Sequence, residues 1–217
     1  MDKIRYIAIE GVIGVGKTSL ADMLNRKLNS LMILEEFEDN PFLEKFYSDR
    51  NKFAFQTQMH FLISRYKQLL QLNQADLFFD YLISDYIFDK DQIFAYLNLN
   101  DEELNIYDNI FPMLKRNLPK PDVVIYLQST INRILQNIKK RNRKIEKQIS
   151  RKYLQDLCEC YNRFFFNYEE TPLIIVNANE IDFVNNKSNF DELYAQIFRK
   201  DRARIEYFNP GGLLLND

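Results

Sequence analysis

Glu10-Gly11-Val12-Ile13-Gly14-Val15-Gly16-Lys17-Thr18 is the stretch that decides the fold. It follows the pattern G-x-x-x-x-G-K-T, a glycine-rich turn whose backbone N–H groups cradle phosphate oxygens. Gly11, Gly14 and Gly16 let the chain turn tightly and approach a phosphate closely. Lys17 offers a point charge to the outer phosphates and Thr18 a hydroxyl to a Mg²⁺ ion, with Ser19 next in line. Such a loop needs a strand before it and a helix after it. Tyr6-Ile7-Ala8-Ile9 is an apolar run of strand length, and Leu20, Met23, Leu24 and Leu28 recur at helical spacing. The helix N-terminus adds its partial positive charge, so dipole, amides and lysine converge on one polyphosphate. A plain turn between two elements would explain the glycines but not a Lys-Thr pair in register with both.

Outward from this loop the chain alternates short apolar runs with helical patterns. Strands are expected at about 4–9, 31–34, 81–84, 123–127 and 173–176. The run at 123–127 is apolar throughout, as in a parallel strand buried on both faces. Helices are expected from the loop to about 29, from about 42 after a cap at Asp39 or Asn40, and over about 53–73, 89–97 and 101–117. Further helices are expected from about 130 into the basic segment 139–144, over about 147–168, and over 190–198. This order predicts an α/β fold, a five-stranded parallel sheet flanked by helices, within one domain spanning 1–217. The segment 139–147 reads as a lid; the tail over about 200–217 has no periodic partner.

Composition narrows the function. The chain has 217 residues, 46% hydrophobic, with eighteen Phe, thirteen Tyr and no Trp, enough for an aromatic-rich core or pocket. A net charge of −2 gives no global attraction to nucleic acid or membrane, so anion binding must be local. Cys158 and Cys160 read as reduced thiols rather than a disulfide or zinc site. No apolar run approaches a membrane span, and no leader precedes the first strand; a cytoplasmic protein is expected.

In open α/β sheets the ligand sits at the carboxyl ends of the strands. There the second strand ends in Glu35-Glu36 and the third in Asp85. A carboxylate facing a phosphate loop can take the proton of an attacking hydroxyl; another can hold Mg²⁺ directly or through water. Glu36 and the more distant Glu38 rival Glu35 for the first role, and Asp85 could equally cap a helix. The metal-side residues are therefore expected to be Thr18 and Asp85. His60, between Met59 and Phe61, reads as a packed or surface histidine.

Beyond the loop, a longer ordered set resembles the deoxynucleoside kinases. It comprises Glu35-Glu36-Phe37, Asn40-Pro41-x-Leu43-x-x-Phe46-Tyr47, Phe55-Gln56-x-Gln58, Phe61-Leu62-x-x-Arg65, Ser84-Asp85 and Arg141-x-Arg143-x-x-Glu146, in order over 4–198. Asp85-Tyr86, Leu118-Pro119-Lys120-Pro121 and Phe183-Val184-x-Asn186-Lys187-Ser188 most resemble the bacterial deoxyguanosine kinases within that family. The resemblance implies transfer of the γ-phosphate of ATP, with Mg²⁺, to the 5′-hydroxyl of a purine deoxynucleoside. Deoxyguanosine is the expected substrate, with deoxyadenosine or broad specificity as the alternative. It implies that Glu35 is the general base and that Tyr47 and Glu146 hold the sugar 3′-hydroxyl. Gln58 would read the base beside an Arg65/Asp91 pair, and Asp85 would belong to the nucleoside side as well. Arg141 and Arg143 would close on the transferring phosphate, completing an ATP site of Gly11, Gly14, Gly16, Lys17, Thr18 and Ser19.

Elementary physics agrees in part. Gln58 and Arg65 are two helical turns apart and can face one pocket. Residues 139–152 hold eight basic residues and one acid, Glu146; a solvated helix end would show the same run, but Arg-x-Arg also suits multidentate phosphate contact. One position departs from the family, where most members carry an arginine after the acid of strand three. Here Tyr86 follows Asp85, leaving Lys90 or the lid arginines to supply that charge. A thymidylate-kinase-like nucleoside monophosphate kinase would need cations near the strand-two and strand-three ends, where Glu35, Glu36, Glu38, Asp39 and Asp85 gather. A GTPase-like switch would need Asn-Lys-x-Asp, and Asn186-Lys187-Ser188-Asn189 lacks its aspartate. The long helices carry more apolar surface than one sheet face needs, which suggests a homodimer packed helix to helix.

Overall fold

β1 (Tyr6–Gly11) is buried along its whole length and forms the middle of the sheet. The computed structural model describes residues 4–72, 78–179, 181 and 187–209. The expected segment at 183–186, the end of the 53–73 helix and the apolar tail from 210 lie outside the described residues. Around β1 stand β2 (Ser30–Ile33), β3 (Tyr81–Ser84), β4 (Val123–Gln128), β5 (Leu173–Asn177) and β6 (Ile205–Phe208), in the order β2-β3-β1-β4-β5-β6. All five pairings are parallel.

Strand alternation divides the core in two. Tyr6 and Ala8 face a cluster with Leu62, Leu154, Leu157 and Phe165, from α3 (Arg50–Leu70) and α7 (Arg151–Phe166). Ile7 and Ile9 face Leu20, Leu24, Leu193 and Ile197, from α1 (Lys17–Lys27) and α8 (Lys187–Ile197). Leu20 and Leu24 are fully buried, each worth about 1.5–3 kcal/mol relative to exposure. The remaining helices are α2 (Leu43–Ser48), α4 (Lys90–Asn98), α5 (Asp101–Lys115) and α6 (Ile131–Arg141). Among the described residues no helix is long and apolar enough to cross a membrane.

The sheet has six strands, not the expected five. β6 falls inside the segment that the sequence leaves without a partner. It runs parallel to β5 at the sheet edge and turns only Glu206 and Phe208 inward. An inward glutamate hides the apolar signal of so short a strand. Its charge is met by Arg199 Nη2 at 2.8 Å, Gln196 Nε2 at 2.9 Å and the Ala203 amide at 2.9 Å.

Caps set the other boundaries. α3 starts three residues before the expected position because Asp49 accepts from the Lys52 amide at 3.3 Å. α7 starts at Arg151 rather than 147, where Ser150 Oγ accepts from the Tyr153 amide at 3.2 Å. Asn40 does not cap a helix directly. After a 3-10 turn at Phe37–Asp39, its Oδ1 takes the Phe42 amide at 3.0 Å, and α2 follows. α6 stops at Arg141 because Asn142 adopts a left-handed conformation, φ 54°.

Candidate active site

The strand order reverses beside β1, and the phosphate loop leaves its carboxyl end there, at the usual ligand position of such sheets. The loop depends on glycine at two close approaches. A Cβ on Gly11 would lie 2.6 Å from the Leu127 carbonyl oxygen, and one on Gly14 would lie 2.7 Å from the Ile138 side chain. Both have positive φ, +151° and +83°. Asn137 Nδ2, on α6, donates to the Gly14 carbonyl at 2.9 Å and ties the loop to the helix that ends in Arg141. Lys17 Nζ donates back to the Gly11 carbonyl at 2.7 Å and the Val12 carbonyl at 3.4 Å. Burial, then the nearby Lys90 charge, pulls this lysine down to about 8.

Asp85, at the end of β3, joins the loop to β2. Its Oδ2 accepts from Thr18 Oγ1 at 2.7 Å and its Oδ1 accepts from the Glu35 amide at 2.9 Å. Glu35 thereby sits just past β2 and lines one cavity with Lys17 and Thr18. Its carboxylate takes Arg65 Nη2 at 2.5 Å and Nε at 3.1 Å on one oxygen, and Lys90 Nζ at 2.5 Å on the other. Burial alone would raise this carboxyl, but the Lys90 and Arg65 charges outweigh it and hold Glu35 well below the usual carboxylate range. Its rival Glu36 is exposed and does not line the cavity.

The cavity between these groups has a volume of about 170 Å³. Its walls are aromatic, from Phe37, Phe46, Tyr47, Phe61 and Phe94, and its charged groups include Lys17, Glu35, Arg65, Asp85, Lys90 and Glu146. Tyr47 and Glu146 line it together. Burial, then Tyr153 and Glu146, pushes the Tyr47 phenol well above its ordinary value. Arg141 Nε donates to Glu146 Oε2 at 3.1 Å, and its Nη2 donates to Glu146 Oε1. The Arg143 guanidinium lies 4.5 Å from the Phe37 ring centroid and 3.8 Å from the Glu146 carboxylate. Both arginines are about one-third exposed and border the same cavity.

The expected base-reading group is assembled, but it is turned inward. Gln58 Nε2 donates to the Asp91 carboxylate at 2.5 Å and to the Asp91 carbonyl at 2.8 Å. Arg65 Nη1 donates to the other Asp91 oxygen. Of these three side chains Arg65 alone lines the cavity. Three of its five N–H donors are engaged by Glu35 and Asp91, leaving two. Thr57, unremarked in the sequence, also lines the cavity, and its Oγ1 is buried with no hydrogen-bond partner among the described residues.

Lys90, one candidate for the missing charge, reaches Glu35, and Glu10 gains a place that the sequence did not assign. Lys90 opens α4 and is only 2% exposed. Glu10, fully buried at the root of the loop, accepts from the Gly11 amide at 2.8 Å, the Ile87 amide at 3.0 Å and the Tyr161 hydroxyl at 3.1 Å. It ties the loop to the segment after β3 and to α7. A charge within an otherwise apolar strand was the one available signal. Tyr86 is fully buried and donates its hydroxyl to Gln68 Oε1 at 2.7 Å. Ser19 lies on α1, exposed and outside the cavity lining. His60 is half-buried, packed edge-on against Phe42. Cys158 and Cys160 are free thiols, and burial pushes Cys158 up to about 11, as suits inert cysteines.

Known proteins resemble this chain over most of its length. The family model described as deoxynucleoside kinase matches residues 7–201. A deoxyguanosine kinase of Bacillus subtilis is 39% identical over 204 residues, covering 91% of this chain and 98% of its own. A deoxyadenosine kinase of Dictyostelium discoideum is 35% identical over 211 residues, covering 94% and 82%. A solved deoxyadenosine kinase from M. mycoides with bound dATP superposes with a TM-score of 0.76 at 29% identity, covering 88% of this chain and 98% of that one.

Proposed function

The chain belongs to the deoxynucleoside kinase family, ATP-dependent enzymes that phosphorylate deoxynucleosides, and from that premise we propose that its acceptor is the 5′-hydroxyl of a purine deoxynucleoside, deoxyguanosine ahead of deoxyadenosine. The observation that carries the reading is that Glu35, Lys17 and Thr18 line a single aromatic-walled cavity, with Asp85 joining Thr18 to the Glu35 amide. A proton acceptor and a phosphate loop lining one cavity suit transfer to a bound hydroxyl.

In this reading the nucleoside lies among Phe37, Phe46, Phe61 and Phe94, with its sugar 3′-hydroxyl toward Tyr47 and Glu146. Glu35 accepts the 5′-proton. Lys17, the loop amides and Ser19 hold the ATP phosphates, and Arg141 and Arg143 close from a lid over 139–147. Thr18 and Asp85 present a hydroxyl and a carboxylate 2.7 Å apart, a hard-oxygen pair suited to Mg²⁺ held mainly by substrate phosphates. Bound there, Mg²⁺ would neutralise phosphate charge. We read 1–217 as one kinase domain.

Base choice rests on the two remaining Arg65 donors. A guanidinium matches the O6 and N7 acceptors of guanine, whereas adenine offers an amino donor in place of O6. Asp91 orients that fork through Nη1, and Gln58 supports Asp91 from behind rather than touching the base. The engagement of Arg65 with Glu35 is the observation favouring the alternative, a deoxyadenosine or broad-specificity kinase. Relatives named for deoxyadenosine and for deoxyadenosine/deoxycytidine support it too. Labelled ATP offered with deoxyguanosine, deoxyadenosine, deoxycytidine, thymidine and the purine monophosphates tests both. The expected order of kcat/KM is deoxyguanosine, deoxyadenosine, then pyrimidines, with monophosphates inert. Thymidine in first place would overturn the purine reading, and efficient monophosphate phosphorylation would overturn the nucleoside reading.

We also propose a homodimer packed through its long helices. Ile63 on α3, Tyr96 on α4 and Ile106 and Met113 on α5 are exposed apolar side chains on adjoining helices that a partner would cover. Sedimentation tests it: a monomer at micromolar concentration would refute it.

A further inference from the structure

A buried lysine is costly unless an anion compensates it, and Lys90 has an incomplete one. Among the described residues its ammonium makes one ion pair, to Oε2 of Glu35 at 2.5 Å, while Oε1 of the same carboxylate is taken by Arg65; the fully buried Glu10 carboxylate also feels its charge. Arg65 has a second anion, Asp91; among the described residues no second ion pair is made by Lys90. Lys115 shows what a structural lysine looks like in this chain. It is half-buried and bridges two carboxylates, Asp89 and Glu170. Lys90 instead is 2% exposed, lines the cavity with Lys17, Thr18 and Asp85, and shares its anion.

Its surroundings also place it on the acceptor side of the reaction. It opens α4, just past β3, so the rigid N-terminus of a helix fixes its direction. Lys90 and Lys17 line the same cavity, and burial, then the Lys90 charge, lowers Lys17. Tyr86 cannot serve there, because its hydroxyl is committed to Gln68 within the core. The lid arginines are held by Glu146.

On the nucleoside kinase reading above, we propose that Lys90 is a catalytic residue whose ammonium, paired with Glu35 in this structure, passes to the transferring phosphoryl oxygens as Glu35 takes up the 5′-hydroxyl proton. The O5′–Pγ bond forms and the bond from Pγ to the ADP oxygen breaks, its electron pair leaving with ADP. The hydroxyl proton ends on Glu35, and Lys90 keeps all its protons. Glu35 loses its charge at the moment the phosphoryl charge arrives, so Lys90 exchanges one anion for another without being left unpaired. Such a contact is stronger in the transition state than in the ground state, which is the condition for raising kcat.

The test compares the parent with Lys90→Met and Lys90→Arg in three measurements. These are kcat at saturating ATP and deoxynucleoside, nucleoside affinity without ATP, and affinity for ADP plus aluminium fluoride with nucleoside bound, a mimic of the transferring phosphoryl group. In Lys90→Met, kcat should fall by about 10²–10³-fold, as for loss of one preorganised transition-state contact. Affinity for the aluminium fluoride complex should fall in parallel, while nucleoside affinity stays within about threefold. Lys90→Arg should recover part of both losses. Lys90→Gln, which keeps a donor for Glu35, takes the place of Lys90→Met if that variant does not fold. Near-parental kcat in a folded variant would overturn the proposal, as would equal losses of nucleoside and aluminium fluoride affinity, the mark of a purely structural lysine. A parent inactive on every deoxynucleoside would instead overturn the kinase reading, and this proposal with it.

Discussion

Replacing Glu35 by Gln should separate a chemical role from a structural one, because the structure gives this carboxylate both. As proton acceptor its loss costs about 10²–10⁴ in kcat, the usual worth of a positioned general base. As an anion it neutralises Lys90 and half-neutralises Arg65. Arg65 keeps Asp91, so among the described residues Lys90 is the charge left without an ion pair, with the buried Glu10 carboxylate as its nearest compensation. Stripping one member from a buried pair costs about 3–5 kcal/mol, and the partly exposed Glu35 belongs at the low end of that range. For a chain of this size that is a fall in Tm of roughly 6–12 °C. The assay is kcat at saturating substrates together with a thermal melt, run beside Glu36→Gln. Glu36 is exposed, so its replacement should leave Tm and kcat nearly unchanged. A Glu35→Gln enzyme that turns over within about threefold of the parent, or a Glu36→Gln enzyme that loses more, would refute the assignment of the base.

Arg143→Ala should lower kcat by about 10²–10³-fold while leaving nucleoside affinity without ATP unchanged. Arg141→Ala should weaken nucleoside binding as well, because it also releases Glu146; the two are compared by kinetics and by titration without ATP. Arg65→Ala should flatten the kcat/KM ranking of the four deoxynucleosides and lower Tm, since Asp91 is fully buried and loses its cation. Adding Asp91→Asn should restore Tm without restoring the ranking, and a restored ranking would count against base reading by Arg65. Lys17 titrates near 8 instead of its ordinary 10.5, so above pH 8 it is largely neutral until phosphate charge draws a proton onto it. ATP binding at pH 8.5 should therefore take up protons, and at pH 6.5 this lysine should take up none. Calorimetry in buffers of different ionisation enthalpy reads this, and Lys17→Met should abolish the difference.

The phosphate loop was legible because its pattern encodes backbone geometry: Gly11 and Gly14 sit where a Cβ would strike Leu127 and Ile138. The four inner strands were legible as apolar runs buried along most of their length, and β2, at one edge, as a shorter apolar run. β6 was not, because an edge strand of four residues with an inward glutamate has no such run. Local spacing placed Gln58 and Arg65 on one helix face, which is correct. It could not say that a carboxylate from α4 would take the Gln58 amide first. That is a contact between elements far apart in sequence, and spacing within one helix carries no information about it. Lys90 and Glu10 are of the same kind, since each is a charge whose meaning depends on which element lies opposite.

The sequence argument for a neutral acceptor also changes its basis. It counted acids near the ends of β2 and β3, but Glu36, Glu38 and Asp39 are exposed and only Glu35 and Asp85 line the cavity. The same wall holds Arg65 and Lys90, cations of the sort a monophosphate acceptor would want. What disfavours a monophosphate is that these cations are engaged: Arg65 with Glu35 and Asp91, Lys90 with Glu35. A phosphate entering there would have to displace Glu35 from both, leaving a carboxylate beside a second anion. Like charges at that distance repel strongly in a low-dielectric site. A 5′-hydroxyl brings no charge and disturbs neither pair until its proton moves. Selection of a nucleoside over its monophosphate thus resides in how Glu35 is held rather than in how many acids surround it.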